Sequence, residues 1–147
     1  MAEPLMGHPS LVARIATGKL IGLVIGAVAF FLLPAWGAED LFFRFGMWAW
    51  IITTGAVIGI FGVMTEVPVF NWPMKWWVRG PVVGSWMMLV LWLVAREPMN
   101  AIAASFFGEG SIFASGAWSI VDGIVLGLLI AGIATWFGGE GKAAAGQ

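Results

Sequence analysis

Four long apolar stretches constrain the fold of this chain more than any motif in it. A helix needs about 20 residues to cross the hydrocarbon core of a bilayer, and each stretch reaches that length once the residues at its ends are included. Only 10% of the 147 residues are charged, too few to cover a soluble domain with polar surface. We therefore predict an all-α integral membrane protein with four transmembrane helices, forming a single membrane domain over 1–147. The stretches cover about 20–33 (extended by 11–15), 45–64, 82–95 (extended by 76–78) and 112–137.

The Lys and Arg residues are distributed unevenly between the two sides of these spans. Five of them fall on one side and two on the other. The positive-inside rule places the side with more Lys and Arg residues in the cytoplasm. We therefore expect a bacterial cytoplasmic (inner) membrane protein with both termini cytoplasmic and a short cytoplasmic tail at 138–147. Arg79 lies at the end of a span, where a long cationic side chain is expected to extend to lipid phosphates. The larger set is Arg14, Lys19, Lys75, Arg79 and Lys142, and the smaller is Arg44 and Arg96.

The second and fourth spans match each other when one is shifted by 68 positions, and the first and third align with a shift of 62. The second alignment places Gly18 with Gly80 and Gly22 with Gly84. We predict a duplicated two-helix hairpin, with one copy at about 11–66 and the other at about 75–137, related as parallel repeats. The alternative is chance similarity between two glycine-rich helices. The matched pairs are Phe45 and Phe113, Ala49 and Ala117, Trp50 and Trp118, Ile52 and Ile120, Gly55 and Gly123, Val57 and Val125, and Gly59 and Gly127.

The first span also fits a second interpretation, a cleavable secretory signal. Arg14 and Lys19 precede a short apolar run, and small residues follow around Trp36. We expect the span to be retained, because its removal would leave the third span without a counterpart in the duplicated hairpin.

Small residues recur at intervals of four in three of the spans. In lipid, helices associate through close backbone approach, so this spacing predicts helix interfaces, either within one chain or between chains. A leucine at Gly55 or Gly123 is expected to disturb assembly more than one at Gly138, which follows the last span. The predicted packing glycines are Gly18, Gly22, Gly26, Gly55, Gly59, Gly123 and Gly127.

Asp122 is the one ionisable residue placed well inside a predicted span. A charge there costs about 2.5–3.5 kcal/mol, so the side chain should face protein or water. Ser115 and Ser119 share its helix face, and Thr54, beside Thr53, occupies the position equivalent to Asp122 in the other half. We therefore expect a polar site of Asp122, Ser119, Thr53 and Thr54. Two interpretations stay open: an interhelical hydrogen bond that fixes packing, and a protonation or ion site.

Two further features concern the third span and the segment before it. Pro68 and Pro73 interrupt an apolar segment at 66–77, which is expected on the inner membrane surface, with a break at Gly80-Pro81 before the span proper. Trp86 and Trp92 lie inside the span, where tryptophan is expected to pack between helices.

No catalytic constellation, phosphate loop or metal motif is present in the sequence. The chain has one histidine, His8, and no cysteine, and its net charge of −1 gives no basic surface for nucleic acid. We predict no enzyme activity and no cofactor or metal. The expected partners are the lipid bilayer and either further copies of the chain or a larger membrane complex. The expected function is that of a structural or accessory subunit or self-associating membrane protein. The alternative is a small oligomeric proton- or ion-coupled transporter or channel that uses Asp122.

Overall fold

The computed structural model describes residues 10–67, 69–141 and 144, and the elements of that part of the chain are five α-helices, two short 3₁₀ helices and one two-stranded β-hairpin. Four helices are long and apolar enough to cross a membrane, which confirms the predicted all-α membrane fold. His8 and Lys142 lie outside the described residues. The helices are α1 (Leu11–Leu32), α2 (Leu41–Phe61), α3 (Trp76–Val94), α4 (Arg96–Phe107) and α5 (Ser119–Gly138), and the strands are β1 (Glu66–Val67) and β2 (Trp72–Pro73).

The four long helices form two antiparallel hairpins, α1 with α2 and α3 with α5. The start of α1 meets the end of α5, where the amide of Ser10 donates to the carbonyl of Gly138 at 2.8 Å. We call this side of the bundle the termini end. The opposite side, the loop end, holds α4 and two short 3₁₀ helices, Leu33–Trp36 and Gly116–Trp118.

Within each hairpin the helix backbones touch at glycine. A Cβ atom added to Gly18 would overlap the carbonyl group of Gly55, and one added to Gly55 would overlap that of Gly18. Gly84 and Gly123 oppose each other in the same way across α3 and α5. Such contacts bring the helix axes close enough for extensive van der Waals packing in lipid. The remaining contacts place Gly22 on Ile51, Gly26 on Trp48, Gly59 on Arg14 and Gly80 on Gly127. All the predicted packing glycines therefore lie at contacts within one chain.

These contacts change the alignment between the first and third spans. Gly55 faces Gly18, whereas its counterpart Gly123 faces Gly84. The structural counterpart of Gly18 is therefore Gly84, a shift of 66 rather than 62 positions. The two hairpins are packed alike, and their origin by duplication stays a prediction.

The third and fourth spans differ from the predicted elements at their boundaries. Helix α3 runs from Trp76 through Pro81 without the expected break. Proline has no backbone N–H, so Pro81 removes one hydrogen bond of the helix, the one to the carbonyl of Trp77. The loss of one bond near the start of α3 does not interrupt the helix. The fourth span begins at Gly116 rather than 112, because Ile112 and its neighbours form turns before the helix.

The helix α4 was not predicted, and it occupies the loop between α3 and the last span. Its sequence is less apolar than that of the spans, and its buried face consists of Met99 and Ala103. Glu97 lies in its first turn, where a negative charge is favoured by the helix dipole.

The expectation that leucine disturbs assembly less at Gly138 than at Gly55 or Gly123 stays a prediction, but its premise that nothing approaches Gly138 is wrong. A Cβ atom on Gly138 would lie 2.5 Å from Cγ of Arg14 and 2.9 Å from the carbonyl oxygen of Ser10. The reason is that the end of α5 packs directly on the start of α1, so Gly138 lies in a helix contact and not beyond one.

The termini end is closed by two buried arginines. Arg14, the fourth residue of α1, is fully buried. Its Nε donates to the carbonyl of Gly59 at 3.0 Å, and its Nη1 donates to Oγ1 of Thr135 at 3.1 Å and to the carbonyl of Gly139. Gly59 lies in the last turn of α2, and Gly139 is the residue that follows α5, so Arg14 donates to backbone carbonyls at the C-terminal ends of both helices. Arg14 thus ties its own hairpin to the other one.

Arg79, the fourth residue of α3, does the same from the second hairpin. It is 2% exposed, and its Nη1 donates to the carbonyls of Met64 at 2.6 Å and Met74 at 2.9 Å. Its Nη2 forms an ion pair with Glu140 at 3.1 Å. The expectation that Arg79 extends to lipid phosphates is therefore wrong, because the connection between α2 and α3 and the segment after α5 provide nearer acceptors. We call Arg14, Arg79 and their partners the arginine clamp.

Candidate functional site

A cavity of about 640 Å³ lies at the loop end of the bundle. All four long helices contribute to its walls, and the side chains at its base are apolar and buried. The base is formed by Met47, Ile51 and Met88.

Helix α4 covers the cavity and is held in place by Asn100. Its Oδ1 accepts hydrogen bonds from Nε1 of Trp92 at 3.1 Å and from the amide of Gly116 at 2.7 Å. These bonds tie α4 to the end of α3 and to the 3₁₀ helix before α5. The buried Met99 and Ala103 consequently face the cavity. Trp92 is packed between elements as predicted, whereas Trp86 is 63% exposed and does not pack between the helices of this chain.

A continuous row of aromatic rings follows the cavity wall. Successive ring centroids are 4.9 Å apart for Trp36 and Phe106, 6.3 Å for Phe106 and Phe107, 5.6 Å for Phe107 and Phe113, and 5.1 Å for Phe113 and Trp118. These separations fall in the range of favourable aromatic pairs. All five rings line the cavity, and all but Trp36 are exposed, which places the mouth beside them. We call these five residues the aromatic rim.

Two polar side chains of α5 reach the same cavity. Ser119 is 7% exposed, and its Oγ has no hydrogen-bond partner among the described residues. Asp122 lies in the first turn of α5, is exposed, and is the one charged residue in the cavity lining. Ser115 also lines the cavity, but its Oγ accepts from the amide of Ala117 at 3.2 Å. An unpartnered buried hydroxyl is costly, which makes Ser119 a natural contact for a ligand.

The structure separates the four residues of the expected polar site. Ser119 and Asp122 lie at the cavity, while Thr54 is buried in α2 and donates to the carbonyl of Trp50 at 2.9 Å. Thr53 donates to its own helix as well, and no hydrogen bond from either threonine to Asp122 is present in the described part of the chain. Threonine hydroxyls in helices readily bond the carbonyl four residues earlier, so each had a nearer acceptor than the carboxylate.

Asp122 is also closer to the start of its helix than predicted. The last helix begins at Ser119, so the Cα atom of Asp122 lies about 4.5 Å along the axis from that of Ser119, in the first turn. At this position the positive end of the α5 dipole stabilises a negative charge.

Between the cavity and the arginine clamp the bundle is filled by side chains. Thr54, Ile130 and Ala134 are completely buried, and Ile58 is nearly so. These side chains and the opposed glycines fill the interior between the helices, so the residues that line the cavity all lie at the loop end.

The sequence interpretation missed both Asn100 and the aromatic rim. The residues of the rim come from three separate segments, so no local pattern connects them. The Phe doublet at 106–107, following the periodic Met99 and Ala103, is the signal that could have indicated an amphipathic α4.

Comparisons with protein-family models, with curated proteins and with solved structures give no match for this chain. Within the described ranges no group of three or more His, Asp or Glu side chains is arranged to hold a metal ion.

Proposed function

We propose that this chain is a structural or accessory membrane protein without enzymatic activity that self-associates or joins a larger membrane complex. The proposal places it in a bacterial cytoplasmic (inner) membrane, with the termini end in the cytoplasm, in line with the distribution of its Lys and Arg residues.

The observation that supports this proposal is the surface around Trp86. This residue lies near the middle of α3, is 63% exposed, and its indole N–H meets no acceptor among the described residues. An unpaired donor at this depth of a bilayer is unfavourable, since lipid tails cannot accept a hydrogen bond. A partner helix can supply both an acceptor and packing surface.

The shape of the surface also favours a protein neighbour. Trp86 lines an apolar groove of about 540 Å³ between the two hairpins. Val57, Phe61 and Val82 lie on its walls, with the half-buried Ser85 among them. Because the glycine stripes are used within the chain, this groove is the surface we assign to association.

The alternative, a proton- or ion-coupled transporter or channel, is favoured by the position of Asp122 and Ser119 at a cavity. The packed layer that contains Ile130 and Ala134 supports the structural proposal instead, because a transport path would have to pass through it.

Cross-linking through a single cysteine tests the proposal, since the chain has none of its own. Ser85→Cys places the thiol in the groove. The matched control, Leu20→Cys, places it on the exposed face of α1, where Leu20 is the tenth residue of its helix as Ser85 is of α3. We expect oxidation in native membranes to join two Ser85→Cys chains through a disulfide, or to join one to another subunit that carries a cysteine beside the groove.

The control should stay monomeric, because the face around Leu20 is assigned to lipid. If Ser85→Cys yields no more adduct than Leu20→Cys, the groove is covered by lipid and the proposed association is wrong.

A further inference from the structure

We propose that the cavity at the loop end binds a lipophilic organic cation, held by the aromatic rim and the carboxylate of Asp122. This inference concerns a ligand of the single chain and does not depend on the association through the groove at Trp86.

The aromatic rim can attract the cationic group of such a ligand. Rings of Phe107, Phe113 and Trp118 follow one another at the mouth, with adjacent centroids 5.6 and 5.1 Å apart. The face of an aromatic ring is negative and attracts an organic cation, and a set of adjacent rings is the usual protein device for binding quaternary ammonium groups.

The charge of the cavity lining also favours a cation. Asp122 is the one charged residue in the lining, and no Lys or Arg accompanies it there. Arg44 and Arg96, the two cations on the loop-end side, interact with rings outside the aromatic rim, those of Phe30 and Trp92. The carboxylate is therefore free to pair with a cationic ligand, and an anionic ligand would be repelled.

The size and composition of the cavity fit a bulky apolar ligand. Its volume of about 640 Å³ lies within the usual range for small-molecule sites. The base formed by Met47, Ile51 and Met88 offers apolar contact, and methionine side chains adapt readily to different shapes. The unpartnered hydroxyl of Ser119 can hydrogen-bond to a polar group of the ligand.

Two probes of nearly identical shape and opposite charge test this proposal. Tetraphenylphosphonium is the cation and tetraphenylborate the anion, and binding of each is measured by equilibrium dialysis against protein in nanodiscs of zwitterionic lipid. Empty nanodiscs give the background for partition into lipid. We expect the protein to bind the cation at least about tenfold more tightly than the anion.

Variants separate the carboxylate from the aromatic contacts. Asp122→Asn should weaken cation binding about tenfold and remove the preference over the anion. Phe113→Leu should weaken cation binding several-fold without altering the helix contacts. The control, Glu109→Gln, removes an exposed acid outside the cavity lining and should leave binding unchanged. Thermal unfolding of each variant reports whether the fold is retained.

Three outcomes would overturn the proposal. Equal binding of the two probes would show that the cavity accepts any apolar molecule, such as a lipid acyl chain. Unchanged binding in a folded Asp122→Asn variant would place the cation elsewhere, and background-level binding by the wild-type chain would leave the cavity without this ligand.

Discussion

At the scale of single residues, the molecule depends on glycines where two backbones meet. Gly55 and Gly18 touch so closely that neither position has room for a methyl group. The spacing of these residues is visible in the sequence, but their partners are not, because four-residue spacing specifies a helix face and not what it contacts. The same limit applied to Gly138, whose contact with Arg14 depends on how distant helices converge.

Substitution by leucine tests the role of these glycines. Gly55→Leu should destabilise the protein by about 3 kcal/mol or more, because the contacting backbone of α1 cannot move away cheaply. Gly46→Leu is the matched control on the same helix, since nothing lies within 4 Å of a Cβ atom there. Thermal unfolding in detergent micelles measures both. A Gly46→Leu variant as unstable as Gly55→Leu would contradict this assignment.

At the scale of secondary-structure elements, the arginine clamp joins the ends of the hairpins. Each arginine bonds to its own hairpin and to the other one, and both satisfy carbonyls at or beyond helix C-termini. Cations are favoured there by the helix dipoles of α2 and α5. The sequence placed Arg14 and Arg79 at the correct end of their spans. Their burial was not predictable, because a cation at a span end can equally reach lipid headgroups.

Removal of one guanidinium measures the contribution of the clamp. Arg14→Met should lower the free energy of unfolding by about 2–4 kcal/mol, because the carbonyl of Gly139 loses its donor in a buried position and the bonds to Gly59 and Thr135 are lost as well. Lys19→Met on the same helix removes an exposed cation of the same sign and should have little effect. Chemical or thermal unfolding followed by tryptophan fluorescence gives both values. Equal stability of the two variants would show that the hydrogen bonds of Arg14 do not contribute to the free energy of unfolding.

The four long helices could be predicted because each contains an apolar stretch long enough to cross a bilayer. Four spans follow from hydrophobicity because the hydrocarbon core demands helices of that length. Helix α4 was missed because it does not cross the bilayer and its position depends on Asn100. The grouping of Asp122 with Thr53 and Thr54 rested on equivalence between the two halves, which does not imply contact between side chains.

At the scale of the whole molecule, the bundle is asymmetric along its axis. The termini end is closed by the arginine clamp and by a packed layer around Thr54 and Ile130. The loop end holds a cavity with Asp122 near its mouth. Such a molecule can hold a ligand at one end without offering a path to the other. This asymmetry distinguishes a binding or structural role from transport.

Labelling of single cysteines by a membrane-impermeant thiol reagent, added to either side of oriented vesicles, shows whether the bundle is closed at the termini end. Glu39→Cys and Lys75→Cys, exposed at the loop end and the termini end, identify which side each end faces. We expect Asp122→Cys to be labelled only from the side that labels Glu39→Cys, and Thr54→Cys to be labelled from neither. Labelling of Asp122→Cys or Thr54→Cys from the side that labels Lys75→Cys would show a path through the bundle and contradict the account.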